Sequence, residues 1–224
     1  MKIILNQFKD NIQRIRNLNS IYAHLNSNIT NIIDISDVLR AELAFAVSAF
    51  DHYIHGIVRV SMLEIFDGKR LETPSFKKFS VPLERVKDAI SNFLEDPSKA
   101  MQEKNPLESV NYVISNPISS NWLEYEIIDQ HSRKSFQKSD NIHEAMKLIS
   151  DIKIWEEIAT RQGKNAGDLK TQLDTIVDRR NQIVHEADMD PSSPGDRWLI
   201  DEIMVNDAID FIEKLADTIY DILK

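Results

Sequence analysis

The feature that most constrains the fold is a run of apolar side chains at residues 43–50, inside a stretch that contains no Gly or Pro from residue 37 to residue 55. A helix built from this run is apolar round nearly its whole circumference, and such helices are buried on most sides. We therefore predict a central helix over about residues 37–66, with Ser36 as its N-cap and Asp67-Gly68 at its end. The run is less than half the length of a membrane span.

The remainder of the chain shows apolar residues at three- and four-residue spacing, which is typical of helices. The predicted fold class is all-α, a helical bundle with additional short helices and loops. We predict residues 1–34 to be an N-terminal helix and connector, and residues 35–224 to be the main helical domain, together one compact unit. The other predicted helices cover residues 2–25, 82–94, 120–131, 166–187, 205–223, and a stretch from Asp140 or Asn141 to Arg161.

Composition excludes several kinds of site. The chain has no Cys, which removes disulfides, thiolate nucleophiles and Cys-based zinc centres. Its formal net charge of −9 weighs against avid binding to long duplexes, although a small basic cleft acting on a few nucleotides is compatible with it. The N-terminal apolar run is far shorter than a signal peptide requires, so we expect a cytoplasmic protein without membrane association.

One arginine stands where an apolar residue is expected. On a helix over residues 166–187, Arg180 falls about 20° from Leu169, near the centre of the apolar stripe. An unpaired buried guanidinium costs several kcal/mol, so Arg180 needs an acidic or carbonyl partner or a wet cleft. Asp51, on the central helix, is the predicted partner. A buried ion pair with no further role is the alternative interpretation.

A second face of the same helix carries Asn181 and His185, which are four residues apart. Asp174 and Asp178 lie near this face and are candidates to orient the imidazole of His185. A His in the last turn of a helix also interacts favourably with the terminal carbonyls, which is the alternative for His185.

Several further residues are candidates for supporting roles. Glu186 and Asp188 follow the His and are predicted to restrain Arg179. His52 and His55 lie on the central helix next to Asp51, but one helix supplies at most two well-placed ligands, so packed or hydrogen-bonded histidines are favoured over a metal site. His55 is retained as a supporting residue beside Asp51.

The segment Arg180-Asn181-Gln182-Ile183-Val184-His185 resembles the Arg/His signature of the HEPN superfamily. The similarity covers about residues 35–220 and is closest to the RiboL-PSP type of HEPN domain. The other segments that carry it are Leu39-Arg40-Ala41-Glu42, residues 46–55, Ser135-Phe136-Gln137, residues 155–159 and residues 176–188.

This resemblance implies a metal-independent endoribonuclease that needs no cofactor. It implies that His185 acts as general acid or base, that Arg180 holds the scissile phosphate, and that Asn181 positions one of them. It also implies an RNA substrate, a homodimer, and use as a toxin or phage-defence effector, with an antitoxin or an associated defence protein as a possible partner.

Two alternatives remain beside the ribonuclease. The first is a non-catalytic HEPN module that scaffolds a partner protein or binds nucleotides, which the net charge of −9 favours slightly. The second is a plain helical interaction domain in which the Arg/His motif is a coincidence.

Overall fold

The computed structural model describes residues 1–28, 34–82 and 120–224, and the protein is all-α, as predicted. Within these residues the extended structure is an isolated bridge between Met189 and Arg197. The predicted helix over residues 82–94 lies outside the described residues. The helices are α1 (Lys2–Asn28), α2 (Asp37–Phe66), α3 (Pro74–Lys77), α4 (Ser120–His131), α5 (Ser139–Lys147), α6 (Ile154–Gln162), α7 (Ala166–Glu186) and α8 (Glu202–Leu223).

The described residues form two compact units. Unit 1 comprises Met1–Ile57, Ser135–Met146 and Ile152–Lys224, and unit 2 comprises the described parts of Val58–Lys134 and Lys147–Asp151. In unit 1, α8 packs against α1 and α6, and α6 packs against α7. None of the described helices is both long enough and apolar enough to cross a bilayer.

Helix α2 has the predicted bounds and supplies much of the core of unit 1. Phe50 and Tyr53 pack with Phe8 of α1, with ring centroids 5.2 Å apart for Phe8 and Tyr53. The Tyr53 hydroxyl is buried and donates to the carbonyl of Ala216 on α8 at 3.0 Å. These contacts satisfy the one polar atom of the aromatic cluster and join α1, α2 and α8.

Helix α2 is buried on most sides, as predicted, and one strip of it is exposed. Phe45 is 55% exposed and Ser48 is exposed, whereas Ala46, Val47 and Phe50 are buried. The packed side of α2 is formed by the latter set, and Phe45 and Ser48 share the strip turned away from it. The sequence shows that Phe45 is apolar but not which neighbour covers each side of the helix.

The predicted helix ending at Arg161 is wrong in extent, because it is two helices, α5 and α6. The carbonyl of Leu148, just past α5, accepts a hydrogen bond from the Thr73 hydroxyl at 3.1 Å. At the start of α6, the buried indole of Trp155 donates to the carbonyl of Ser139 at 3.0 Å. These contacts at Leu148 and Trp155 involve residues distant in sequence, which periodicity does not reveal.

A buried carboxyl group lies on α2 at Glu42. Its Oε2 accepts a hydrogen bond from Asn19 of α1 at 3.1 Å, and no described atom donates to its Oε1. Burial raises the pKa of Glu42 to about 7; Asn19 opposes this rise, and the charge of Glu202 adds to it. The carboxyl group therefore favours its protonated form in the folded protein.

We expect this group to make folding stability fall with rising pH. The pKa of Glu42 in the folded protein, about 7, lies above its ordinary value of 4.5. The favourable contribution is thus complete below the ordinary value and is lost as pH rises through about 7. Between pH 5 and pH 8, wild type should lose on the order of 2 kcal/mol of unfolding free energy relative to Glu42→Gln, measured by urea denaturation.

Glu156→Gln is the matched control, because Glu156 is exposed on α6. It should leave the pH dependence of wild type unchanged. Parallel pH profiles for wild type and Glu42→Gln would contradict the prediction.

Candidate functional site

Helix α7 carries the Arg/His motif in its last two turns, within one residue of the predicted bounds. The helix starts because the Asn165 side chain accepts hydrogen bonds from the backbone N–H groups of Gly167 and Asp168. Leu169, Leu173 and Val177 are buried and fix the helix in unit 1. The apolar stripe thus sets the rotation of α7 and the directions in which its motif side chains point.

Asp188, just beyond the motif, is completely buried between two arginines. Its Oδ2 accepts a hydrogen bond from Nε of Arg40 at 2.6 Å and from Nη2 of Arg179 at 2.9 Å, and its Oδ1 accepts from Nη1 of Arg179. The predicted restraint of Arg179 by Asp188 is confirmed. Arg40 stands in one of the segments that carry the family resemblance, but its pairing with Asp188 was not predicted.

The same two arginines hold the backbone of the loop that follows α7. Nη2 of Arg40 donates to the carbonyl of Trp198 at 2.9 Å, and Nη2 of Arg179 donates to that of Leu199 at 3.2 Å. Ala187 and Asp188 have φ values of 52° and 59°, a conformation that residues other than Gly adopt infrequently. We call Asp188, Arg40 and Arg179 the arginine clamp. It stabilises the turn at Ala187 and Asp188, directly after the motif.

Arg180 is half-buried and has no carboxylate partner among the described residues. Its Nη1 donates to Oδ1 of Asn181 at 3.1 Å, and its buried Nε has no hydrogen-bond acceptor there. The predicted ion pair between Arg180 and Asp51 is therefore wrong. The guanidinium of Arg180 keeps most of its hydrogen-bonding capacity unused.

Asp51 instead holds the segment that leads into α5. Its carboxylate accepts hydrogen bonds from the backbone N–H of Phe136 at 2.6 Å and from Nε2 of Gln137 at 3.3 Å. Nε2 of His55 lies 3.8 Å from Oδ1 of Asp51, and the His55 ring packs on Phe136 with centroids 4.3 Å apart. Asp51 and His55 thus both contact the segment Phe136-Gln137, Asp51 through hydrogen bonds and His55 through ring packing.

His185 is exposed, and its imidazole makes no hydrogen bond with the described residues. The predicted orientation of this imidazole by Asp174 and Asp178 is wrong. Asp174 accepts from the backbone N–H and the hydroxyl of Ser139, both at 2.8 Å, and so caps α5. Asp178 pairs with Lys138 at 2.6 Å.

Glu186 is exposed and its side chain makes no ion pair in the described part of the chain, so of the two carboxylates predicted to restrain Arg179 only Asp188 does so. The structure places Arg180 in contact with Asn181, and no hydrogen bond in the described residues joins His185 to either of them. Within residues 1–28, 34–82 and 120–224, no group of three or more His, Asp or Glu side chains is arranged to hold a metal ion.

Comparison with known protein families identifies the family of the chain. The family model described as RiboL-PSP-HEPN matches residues 9–224. The chain belongs to the RiboL-PSP-HEPN family. The predicted resemblance is confirmed, and the match includes most of α1, which precedes the segments that carry the resemblance. No curated protein and no solved structure matches the chain.

We expect the arginine clamp to be a large contribution to stability. Asp188→Asn removes the buried negative charge, which leaves Arg179 without a carboxylate and Arg40 with only the longer contact to Asp37 at 3.8 Å. Breaking a buried ion pair in this way costs about 3 kcal/mol. Chemical denaturation should show a decrease of that size in the unfolding free energy.

Glu186→Gln is a control two residues away, because it removes an exposed carboxylate without an ion-pair partner in the described residues. It should change stability by less than about 0.5 kcal/mol. Equal stability of Asp188→Asn and Glu186→Gln would show that the clamp does not stabilise the fold.

Proposed function

We propose that this HEPN-type domain is a metal-independent endoribonuclease. The observation that carries the proposal is the state of Arg180, a half-buried guanidinium on the motif helix with no carboxylate partner in the described residues. In a chain of net charge −9, such a group is available for an external anion, and a phosphate suits its planar donors. The family match supports an RNA-related role.

The proposed reaction uses the 2′-hydroxyl of RNA as an internal nucleophile. The 2′-oxygen attacks the adjacent phosphorus, a bond from phosphorus to the 2′-oxygen forms, and the bond to the leaving 5′-oxygen breaks. His185 takes the proton of the hydroxyl or gives one to the leaving oxygen, since imidazole exchanges protons near neutral pH. The products are a 2′,3′-cyclic phosphate and a free 5′-hydroxyl.

Arg180 would stabilise the negative charge that develops on the phosphate oxygens. The Asn181 side-chain oxygen accepts from Nη1 of Arg180 at 3.1 Å, so Asn181 limits the rotation of the guanidinium. Its amide nitrogen remains a donor for the phosphate. In this proposal Asn181 is a positioning residue, and Asp51 and His55 support the neighbouring segment through Phe136 and Gln137.

A homodimer would complete this site. Arg180 and His185 are separated by about 140° on an ideal helix, so one phosphate is difficult to serve with both from a single chain. In a two-fold dimer each Arg180 can meet the His185 of the partner chain, because the interface presents the same surface twice. HEPN domains often dimerise, which is consistent with this arrangement.

Cleavage should occur in the presence of EDTA and depend on His185. His185→Ala should reduce the rate on single-stranded RNA at least about 100-fold, because it removes the proton-transfer group. DNA of the same sequence should remain intact, since it lacks the 2′-hydroxyl. His24→Ala, at the exposed end of α1, is the control and should cleave at the wild-type rate. Equal rates for wild type and His185→Ala would refute the proposed chemistry.

Mixing two inactive variants tests the shared site. Arg180→Gln and His185→Ala should each be inactive alone. After subunit exchange, about half of the dimers contain one chain of each kind, and each of these has one intact site of two. The mixture should recover about a quarter of wild-type activity. Absence of recovery, with exchange demonstrated by mass spectrometry of labelled chains, would place Arg180 and His185 in the same chain.

The biological setting we propose for this activity is a toxin or defence effector, accompanied by an antitoxin or an associated defence protein. A non-catalytic module that scaffolds a protein partner is the second candidate, favoured by the lack of contact between His185 and Arg180 within the described chain. Growth arrest on expression of wild type but not of His185→Ala would favour the effector; equal growth would favour the scaffold.

A further inference from the structure

A groove of about 490 Å³ lies between α1 and α2 in unit 1. Ile15 and Leu18 of α1 and Ala49 of α2 line its apolar part, and Phe45 stands at it with 55% of its surface exposed. This volume falls in the range of sites that bind small molecules. Phe45 is thus a large aromatic face that the described residues leave uncovered beside an apolar cavity.

The polar side chains of the groove are neutral or basic. Asn11 and Arg14 come from α1 and His52 comes from α2, and no acidic residue is among the lining residues. Nη1 of Arg14 reaches Oδ1 of Asn11 at 3.5 Å, and the imidazole of His52 has no hydrogen-bond partner in the described residues. In a chain of net charge −9, a cavity without carboxylates is a place where an anion meets little repulsion.

The arginine of this groove, Arg14, differs from most other described arginines because it has no carboxylate partner in that part of the chain. Most described arginines have a carboxylate within ion-pair distance, including Arg16, which is two residues from Arg14 on α1. Among the described residues Arg14, Arg133 and Arg180 have none. Within unit 1, the guanidinium groups free for an external anion are therefore the one in the motif and the one in the groove.

We propose that the groove binds one nucleotide of the RNA chain, away from the scissile bond. The base packs on the exposed ring of Phe45, and the phosphate binds Arg14, with His52 and Asn11 as further donors. Any base can stack on an aromatic side chain, so Phe45 would not select a sequence. The guanidinium of Arg14 would bind the phosphate, which every nucleotide in the chain carries. This inference rests on the proposed ribonuclease function and adds a substrate subsite to it.

The chemistry of the groove favours a nucleotide over an apolar peptide. A peptide helix laid into the groove would cover Phe45 and Leu18 but would leave Arg14 and His52 without an anion. A nucleotide satisfies both parts, because it carries a flat aromatic group next to a phosphate. The walls of the groove are two long helices, α1 and α2, which pack on each other through Phe8 and Tyr53.

The test uses the full chain and a single-stranded 2′-O-methyl RNA, in which the blocked hydroxyl prevents cleavage. Affinity is measured by fluorescence anisotropy at several salt concentrations. Arg14→Gln and Phe45→Ala should each weaken binding about tenfold. Arg14→Gln should also lower the slope of log affinity against log salt by about 0.7, as expected for one lost phosphate contact on a single strand.

Two matched variants separate the groove from general charge and folding effects. Arg133→Gln removes an exposed unpaired arginine that does not line the groove, and it should bind with wild-type affinity. Phe45→Trp keeps an aromatic face and should restore affinity to that of wild type. Circular dichroism melting confirms that the variants fold, which is expected because Arg14 and Phe45 are exposed.

The results distinguish failure of the groove from failure of the proposed function. Unchanged affinity in both Arg14→Gln and Phe45→Ala, or no binding of the 2′-O-methyl RNA by wild type, overturns the groove inference even if wild type cleaves ordinary RNA. Weaker binding by both groove variants supports it even if wild type cleaves nothing, in which case only the proposed catalysis fails. Free 5′-AMP that displaces the RNA only at millimolar concentration would indicate that the ligand is a nucleotide within a chain.

Discussion

The buried carboxylate of Asp188 is the contact on which the arrangement of the motif depends. Two guanidinium groups converge on it, one from the first turn of α2 and one from α7. A buried charge is tolerated when it is paired and hydrogen-bonded, and here Arg40 and Arg179 also donate to the carbonyls of Trp198 and Leu199 and to the Ser36 hydroxyl. The two arginines that pair with Asp188 therefore also fix the backbone that follows His185.

This structure also explains how two adjacent arginines have different roles. Arg179 is committed to Asp188 and to the carbonyl of Leu199, so it has little capacity for another anion. Arg180, one residue later, points 100° away on the helix and meets no carboxylate in the described residues. The separation of a structural from an available guanidinium follows from helix geometry together with the position of one acidic residue.

The helices were largely predictable because their periodicity and end signals are strong. The bounds of α2 and α7 agree closely with the prediction. Helix α8 begins earlier than predicted, because the Asp201 side chain accepts a hydrogen bond from the backbone N–H of Met204 and so caps the helix. The partners of buried polar groups were not predictable in the same way. Periodicity places a side chain on a face of a helix, but it does not identify the element that lies opposite.

Asp51 illustrates this limit for the candidate site. The sequence places it on the central helix, and the predicted partner was Arg180, which lies on an apolar stripe and therefore needs a partner. In the structure the carboxylate of Asp51 instead accepts a hydrogen bond from the backbone N–H of Phe136. At the division between α5 and α6, the Thr73 hydroxyl donates to the carbonyl of Leu148, a contact from a distant part of the sequence that periodicity does not reveal. Exposure of Phe45 likewise depends on which sides of α2 have neighbours.

The arginine clamp has a consequence for synthesis of the chain. Arg40 and Asp188 are separated by 148 positions, so their contact closes a long loop of the chain. Contacts between distant positions form late, because the intervening chain must first be ordered. On the ribosome, the turn after His185 cannot form until residues beyond Leu199 have emerged. A nascent chain that has not yet exposed Trp198 and Leu199 therefore lacks the finished clamp.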